Sequence, residues 1–173
     1  MSNVLVTIGA DEDPGLGARI VRPDSDGFER FYADSFPRLV TALQISGATL
    51  QQAEDSVQEA FARTYLKWPR IETGTNPTGY VYRVAIRLHR RSRLRPSFPT
   101  APPVASDLAA TTVTAIVIRQ TIAAMPLRQR HCVALCLLLD LDPNQAARIL
   151  KIRASTVRTH LHNGRRALAK ALE

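Results

Sequence analysis

Residues 142–173 read DPNQAARILKIRASTVRTHLHNGRRALAKALE, and this stretch decides the fold. Asp142 is a good N-cap, Pro143 suits the first helical position, and Gln145 stands where it can complete a capping box. The pattern predicts a short helix to Leu150, a tight connection Lys151-Ile152-Arg153, and a longer helix from about Ala154 to Leu172. That is the layout of a helix-turn-helix. Val157, Leu161, Gly164 and Leu168 form the buried stripe of the longer helix, and Ser155, Arg158, Thr159, His162 and Arg166 share its other face. Arginine grips guanine bidentately or holds phosphates, while Ser, Thr and His make shorter contacts. The helix N-terminus adds backbone donors and a positive dipole end. Such a face suits the major groove; the competing reading is a solvated basic face.

Moving towards the N-terminus, Thr111–Met125 and Leu127–Leu141 read as two further helices, which makes residues 110–173 a four-helix domain. Pro96, Pro99, Pro102 and Pro103 cannot lie in a continuing helix, so 96–109 reads as a semi-rigid or extended linker. Residues 28–95 form another helical domain. Phe28, Phe31, Tyr32, Phe36, Leu39, Val40 and Leu43 recur at helical steps, with Pro37 expected to kink or split the element. A second helix is expected over Leu50–Trp68, with Ala53, Val57, Ala60, Phe61 and Thr64 on one side and Glu54, Asp55, Gln58 and Glu59 on another. Pro69 and the Thr73–Gly79 stretch read as a loop before a third helix over Tyr80–Arg93. There Val81, Val84, Ala85 and Leu88 make the apolar stripe, while Arg83, Arg87, Arg90 and Arg91 fall within about a third of the circumference. Residues 1–27 read as a flexible leader, in which Val4–Ile8 could form a short strand. The expected fold is all-α: two small helical domains joined by a proline-rich linker.

The balance of 23 Lys+Arg against 15 Asp+Glu leaves a net charge of +8 and favours a polyanionic partner. No run approaches the ~18 apolar residues of a membrane span, and the N-terminus lacks a signal-peptide pattern. A cytoplasmic protein without membrane insertion is therefore expected. Cys132 and Cys136 lie on one face of an apolar helical run beside His131, and without a second ligand pair they read as core rather than metal site. His89, His131, His160 and His162 have no evident Ser, Cys or carboxylate partner at a catalytic spacing, so neither enzyme activity nor a cofactor or metal is expected. Two other readings stand beside a DNA-binding role within a larger machine. One is a stand-alone helix-turn-helix regulator, usually a symmetric dimer. The other is a module whose arginines meet acidic lipid heads.

The order of these parts resembles the small two-domain sigma factors of the extracytoplasmic-function (ECF) group of the sigma-70 family. Phe28-Glu29-Arg30-Phe31-Tyr32 and Phe36-Pro37-Arg38-Leu39 are similar to the family's opening helix, and residues 53–61 (AEDSVQEAF) closely resemble its most recognisable segment. Met125-Pro126-Leu127-Arg128-Gln129-Arg130 matches the run before its longest helix, and residues 156–168 match its recognition helix. The resemblance implies that Glu54, Asp55, Gln58 and Glu59 dock on the clamp helices of the largest RNA polymerase subunit, with another core subunit contacting the second domain. It also implies that Tyr80, Arg83, Arg87, Arg90 and Arg91 engage the promoter −10 element, with Tyr82 nearby, opening the duplex and holding an unpaired base. Ser155, Thr156, Arg158, Thr159, His162, Arg165 and Arg166 would read the −35 element as a duplex. An anti-sigma factor, membrane-linked or soluble, is a further partner the resemblance implies, although no residue identifies one. Tyr80 stands where Trp is common, and Ile86-Arg87 where an Arg-Asn pair is usual. Lys151 replaces a frequent Gly and Arg153 a frequent Ser cap, which implies a strained turn or a helix start at Ser155.

Overall fold

The computed structural model describes residues 25–72, 76–92 and 112–173, all helical or in short connections, with no strand among them. The segment read as linker and the Val4–Ile8 stretch lie outside the described residues. Helix α1 spans Ser25–Ile45, α2 Leu50–Tyr65, α3 Trp68–Glu72, α4 Pro77–Ser92, α5 Val113–Ala124, α6 Leu127–Val133, α7 Pro143–Leu150 and α8 Ala154–Leu172.

Helix α1 begins inside the segment read as leader and runs through Pro37 without a break. Pro37 is exposed, and Thr41 Oγ1 donates to its carbonyl at 3.0 Å. The missing N–H therefore costs one ladder bond on the solvent side rather than the helix. The helix ends at Gly47, whose φ of 99° lets Ala48 N–H reach the Leu43 carbonyl and Gly47 N–H reach Gln44. This is a Schellman stop that a Cβ would strain.

Helix α2 opens on a capping box between Thr49 and Gln52, buries Ala53, Ser56, Val57, Ala60, Phe61 and Thr64, and ends at Tyr65. The expectation that it continues to Trp68 and gives way to a loop is corrected: Trp68–Glu72 forms the separate short α3. Pro69 is tolerated there because a first-turn N–H has no intrahelical partner. Trp68 is buried, with the Phe31 ring stacked on it at 5.0 Å and Phe28 edge-on at 5.3 Å, so an aromatic anchor under α1 holds the extra turn. Helix α4 likewise starts at Pro77, before the expected Tyr80, with Asn76 Oδ1 accepting from Gly79 N–H at 2.7 Å.

Beyond the linker, α5, α6 and α7 all pack on α8. The single helix expected over Leu127–Leu141 is instead α6 followed by a π-helical turn, Ala134–Leu138, in which Leu139 N–H bonds the Ala134 carbonyl. The wider turn brings Leu135, Leu139 and Leu141 into the core together. Gly164 lies where α8 crosses α6. A Cβ built there would stand 2.5 Å from Val133 Cγ2, so only glycine permits this approach.

The apolar core runs continuously from α1, α2 and α4 into α6, the π turn, α7 and α8. Helix α1 touches α6 and the π turn, and α4 touches α7. The two helical domains are packed against each other.

Candidate nucleic-acid interface

The helix-turn-helix forms as its residues dictate. Asp142 Oδ1 accepts from the Asn144 and Gln145 amides at 2.7 and 3.0 Å, and Gln145 returns a bond to the Asp142 N–H. Lys151 stops α7 in the left-handed region at φ 55°, and Ile152 N–H reaches the Ala147 carbonyl. A lysine therefore performs the stop that usually falls to glycine, at a cost of about 1 kcal/mol. Helix α8 starts at Ala154, with Arg153 at the N-cap position and no side-chain cap bond, rather than later at Ser155.

On α8, Val157, Leu161 and Gly164 are buried and Leu168 is half-buried. Ser155, Thr156, Arg158, Thr159, His162, Arg165 and Arg166 are all exposed. Thr159 Oγ1 turns back to donate to the Ser155 carbonyl at 3.1 Å.

On α4, Arg83, Arg87, Arg90 and Arg91 are exposed as a band, and Arg83 lies over the Tyr80 ring with its guanidinium carbon 5.6 Å from the centroid. The buried side is Gly79, Val81, Tyr82, Ala85, Ile86 and His89, whereas Val84 and Leu88 are half-buried, so the expected stripe is rotated. Tyr82 is fully buried and bonds Ser46 and His131, which removes it from any contact with an extruded base. Burial pushes its hydroxyl up to about 12, the Ser46 bond opposing the rise only in part. Tyr80 is half-buried in a cleft of about 390 Å³ that also takes in Arg70, Ile71, Asn76, Gly79, Arg83 and, from α7, Gln145, Arg148 and Ile149. Gln145 and Arg148 were not legible as neighbours of Tyr80, because only the packing of the two domains brings them there, and Arg70 was not because it rides on the unexpected α3.

On α2, Asp55, Gln58 and Glu59 are exposed and Glu54 is half-buried. Glu59 pairs with Arg63 one turn on at 2.7 Å, a surface pair open to exchange for a partner's cation. Beside Gln58 lies a shallow groove lined by Phe28, Tyr32, Phe61, Ala62 and Tyr65, where Phe61 is buried in the core and Phe28 and Tyr32 pack against it.

Cys132 is buried and Cys136 half-buried, and burial pushes both thiols up, Cys132 to about 11, which makes them poor ligands and nucleophiles. Among the described residues, no three His, Cys, Asp or Glu side chains converge as a metal site, and no helix is long and apolar enough to cross a membrane.

The family profile described as Sigma-70 region 2 matches residues 35–95, and Sigma-70, region 4 matches residues 115–168. The chain belongs to the sigma-70 family, in the ECF group of RNA polymerase sigma factors. This sigma factor is 28% identical over 143 residues to the ECF RNA polymerase sigma factor SigW of Bacillus subtilis, covering 71% of this chain and 76% of that protein. Its fold is similar to that of the sigma factor RpoE in complex with the anti-sigma factor NepR from Bartonella quintana. There the TM-score is 0.62 at 17% identity, with 85% of this chain and 97% of that one covered. It is also similar to CnrH in complex with the cytosolic domain of CnrY, at a TM-score of 0.57 and 17% identity, over 86% of this chain and 89% of that one.

Proposed function

We propose that the sigma factor acts through three surfaces without any catalytic step of its own. The α2 face of Glu54, Asp55, Gln58 and Glu59 docks on the clamp helices of core RNA polymerase, and a second core subunit contacts the second domain. Tyr80 with Arg83, Arg87, Arg90 and Arg91 engages the −10 element as it opens, and the α8 face reads the −35 duplex. Opening costs a few kcal/mol per unstacked base, offset by phosphate contacts and by stacking of the extruded base. Tethering both DNA contacts to one polymerase lets each be weak alone.

The observation that carries this reading is the exposure of all seven α8 candidates on a helix whose other side is fixed in the core. Mixed Arg, Ser, Thr and His chemistry on a rigid helix suits base edges better than a lipid surface. A stand-alone regulator would leave the acidic α2 face without a role. The similarity to sigma factors solved with anti-sigma partners supports an anti-sigma factor for this chain too, and a cytoplasmic location follows from the work proposed.

The test is run-off transcription from genomic fragments by core polymerase with this protein, alongside a Glu54→Ala/Asp55→Ala/Gln58→Ala variant. Discrete start sites that fall at least tenfold with the variant are expected. A protein that shifts duplex DNA alone, with no polymerase-dependent transcript, would mark a stand-alone regulator instead.

A further inference from the structure

We propose that Lys151 and Arg153, the cations of the turn between α7 and α8, grip the phosphate backbone of the −35 duplex and so fix how α8 sits in the major groove. This rests on the assignment of α8 to duplex DNA under the proposed function and adds the contact that sets its register.

The turn keeps two residues that local stability disfavours. Among the described residues, the non-glycine positions with positive φ are Asp140 and Lys151. Asp140 has a structural use there, since its carboxylate pairs with Arg38. Lys151 holds φ 55° and ψ 48°, where glycine or asparagine would end α7 with less strain. Two residues on, Arg153 occupies the N-cap position of α8 without a side-chain cap bond, where Ser, Thr, Asp or Asn would accept from a first-turn amide. No contact within the protein compensates either choice. Both side chains are exposed, and among the described residues neither joins an ion pair or a side-chain hydrogen bond. Two successive departures from the locally favoured residue, each in favour of a cation, point to what those side chains meet outside the fold.

The turn is also rigid. Ile152, between the two cations, packs against the core, and its N–H bonds the Ala147 carbonyl at 3.1 Å. Arg153 itself is extended, at φ −73° and ψ 144°. Lys151 and Arg153 therefore project from a segment pinned from inside, and holding them in place costs little further backbone entropy when DNA binds.

Their place along the chain matches the groove. A recognition helix enters the major groove by its N-terminal residues, and that groove is about 12 Å wide. At no more than ~3.6 Å per residue, the Cα atoms of Arg153 and Lys151 lie within about 4 and 11 Å of that of Ala154, where α8 begins. When Ser155, Thr156 and Arg158 reach base edges, the two cations stand at the groove wall, where the phosphates are. Lysine brings a compact charge on a long stem and arginine a fork of donors, and both hold phosphate oxygens without reading sequence. The turn positions; the exposed face of α8 specifies.

The experiment is fluorescence-anisotropy titration of holoenzyme onto a labelled duplex carrying a mapped −35 element, and onto a scrambled duplex of the same length, over a range of potassium chloride concentrations. Thermal unfolding of the free chain is followed alongside. Lys151→Asn and Arg153→Ser put residues that favour the local backbone in place of the cations, so each should raise the unfolding midpoint by about 2–4 °C. Each should nevertheless weaken binding to both duplexes roughly five- to tenfold at about 0.1 M salt, and lower the slope of log affinity against log salt by about 0.9. The preference for the −35 duplex is expected to survive in both variants, and Lys151→Arg, which keeps charge and strain, should match wild type throughout. Stabilised variants with wild-type affinity and wild-type salt slope would overturn the proposal, as would a loss confined to the −35 duplex. Failure of the functional reading shows separately, as wild-type holoenzyme that does not distinguish the two duplexes, and the salt slopes still decide the role of the turn.

Discussion

Three positions show how single side chains set what the fold can do. At Gly164 the absent Cβ is what lets α8 approach Val133, so Gly164→Ala should lower stability by about 1–3 kcal/mol in urea unfolding, despite alanine's better helix propensity. A variant as stable as wild type would show that α6 and α8 can move apart at no cost. Lys151 holds φ 55°, and Lys151→Gly should raise stability by about 0.5–1 kcal/mol, measured in the same way. Arg158 is exposed near the start of α8, and Arg158→Ala should cost about 1–3 kcal/mol at one promoter position while relaxing the base preference there. A uniform loss across all sequences, with a shallower salt dependence, would make it a phosphate contact instead.

At the scale of elements, the helix-turn-helix was legible almost to the residue, because Asp142, Pro143 and Gln145 encode a helix start in side chains that act within one turn. Asp142→Ala should destabilise α7 by about 0.5–2 kcal/mol, read as a lower midpoint of thermal unfolding. The elements that differed from expectation are those whose cause lies elsewhere in the chain. Helix α3 exists because Trp68 finds Phe28 and Phe31 on α1, which no local pattern around Pro69 announces. The π turn after Val133 trades regular bonding for the burial of Leu135, Leu139 and Leu141, a tertiary gain that periodicity cannot display. On α4 the arginine band was read correctly, but Ile86 and His89 were not seen as buried, because helices read in isolation have no neighbour to cover a second side.

For the whole molecule, the same limit applies to the candidate surfaces. Ser155, Arg158, Thr159, His162 and Arg166 of α8 and the four arginines of α4 stand exposed where periodicity put them, while the cleft joining Tyr80 to Arg148 depends on the contact between domains. That contact also carries a pH dependence. Burial, and then Arg90, Arg130, Arg128 and His89, push His131 down to about 4, so it is neutral in the folded chain at neutral pH. A depressed folded pKa means the stabilisation is complete above the unfolded value of ~6.5 and is lost as pH falls towards 4, by up to about 3 kcal/mol. Urea midpoints should fall across that window in wild type and much less in His131→Gln, which keeps a side-chain donor; equal slopes would place the sensitivity elsewhere.

The central claim is that one chain delivers polymerase to a promoter and helps open it. Permanganate footprinting of a mapped promoter with holoenzyme tests this most directly, because only unpaired thymines react. We expect reactive thymines in the −10 element with wild-type protein, lost with Tyr80→Ala/Arg83→Ala, and, in a parallel nuclease footprint of the same complex, −35 protection lost with Arg158→Ala/Arg166→Ala. Protection of a symmetric duplex by the protein alone, with no reactive thymine when polymerase is present, would contradict the account.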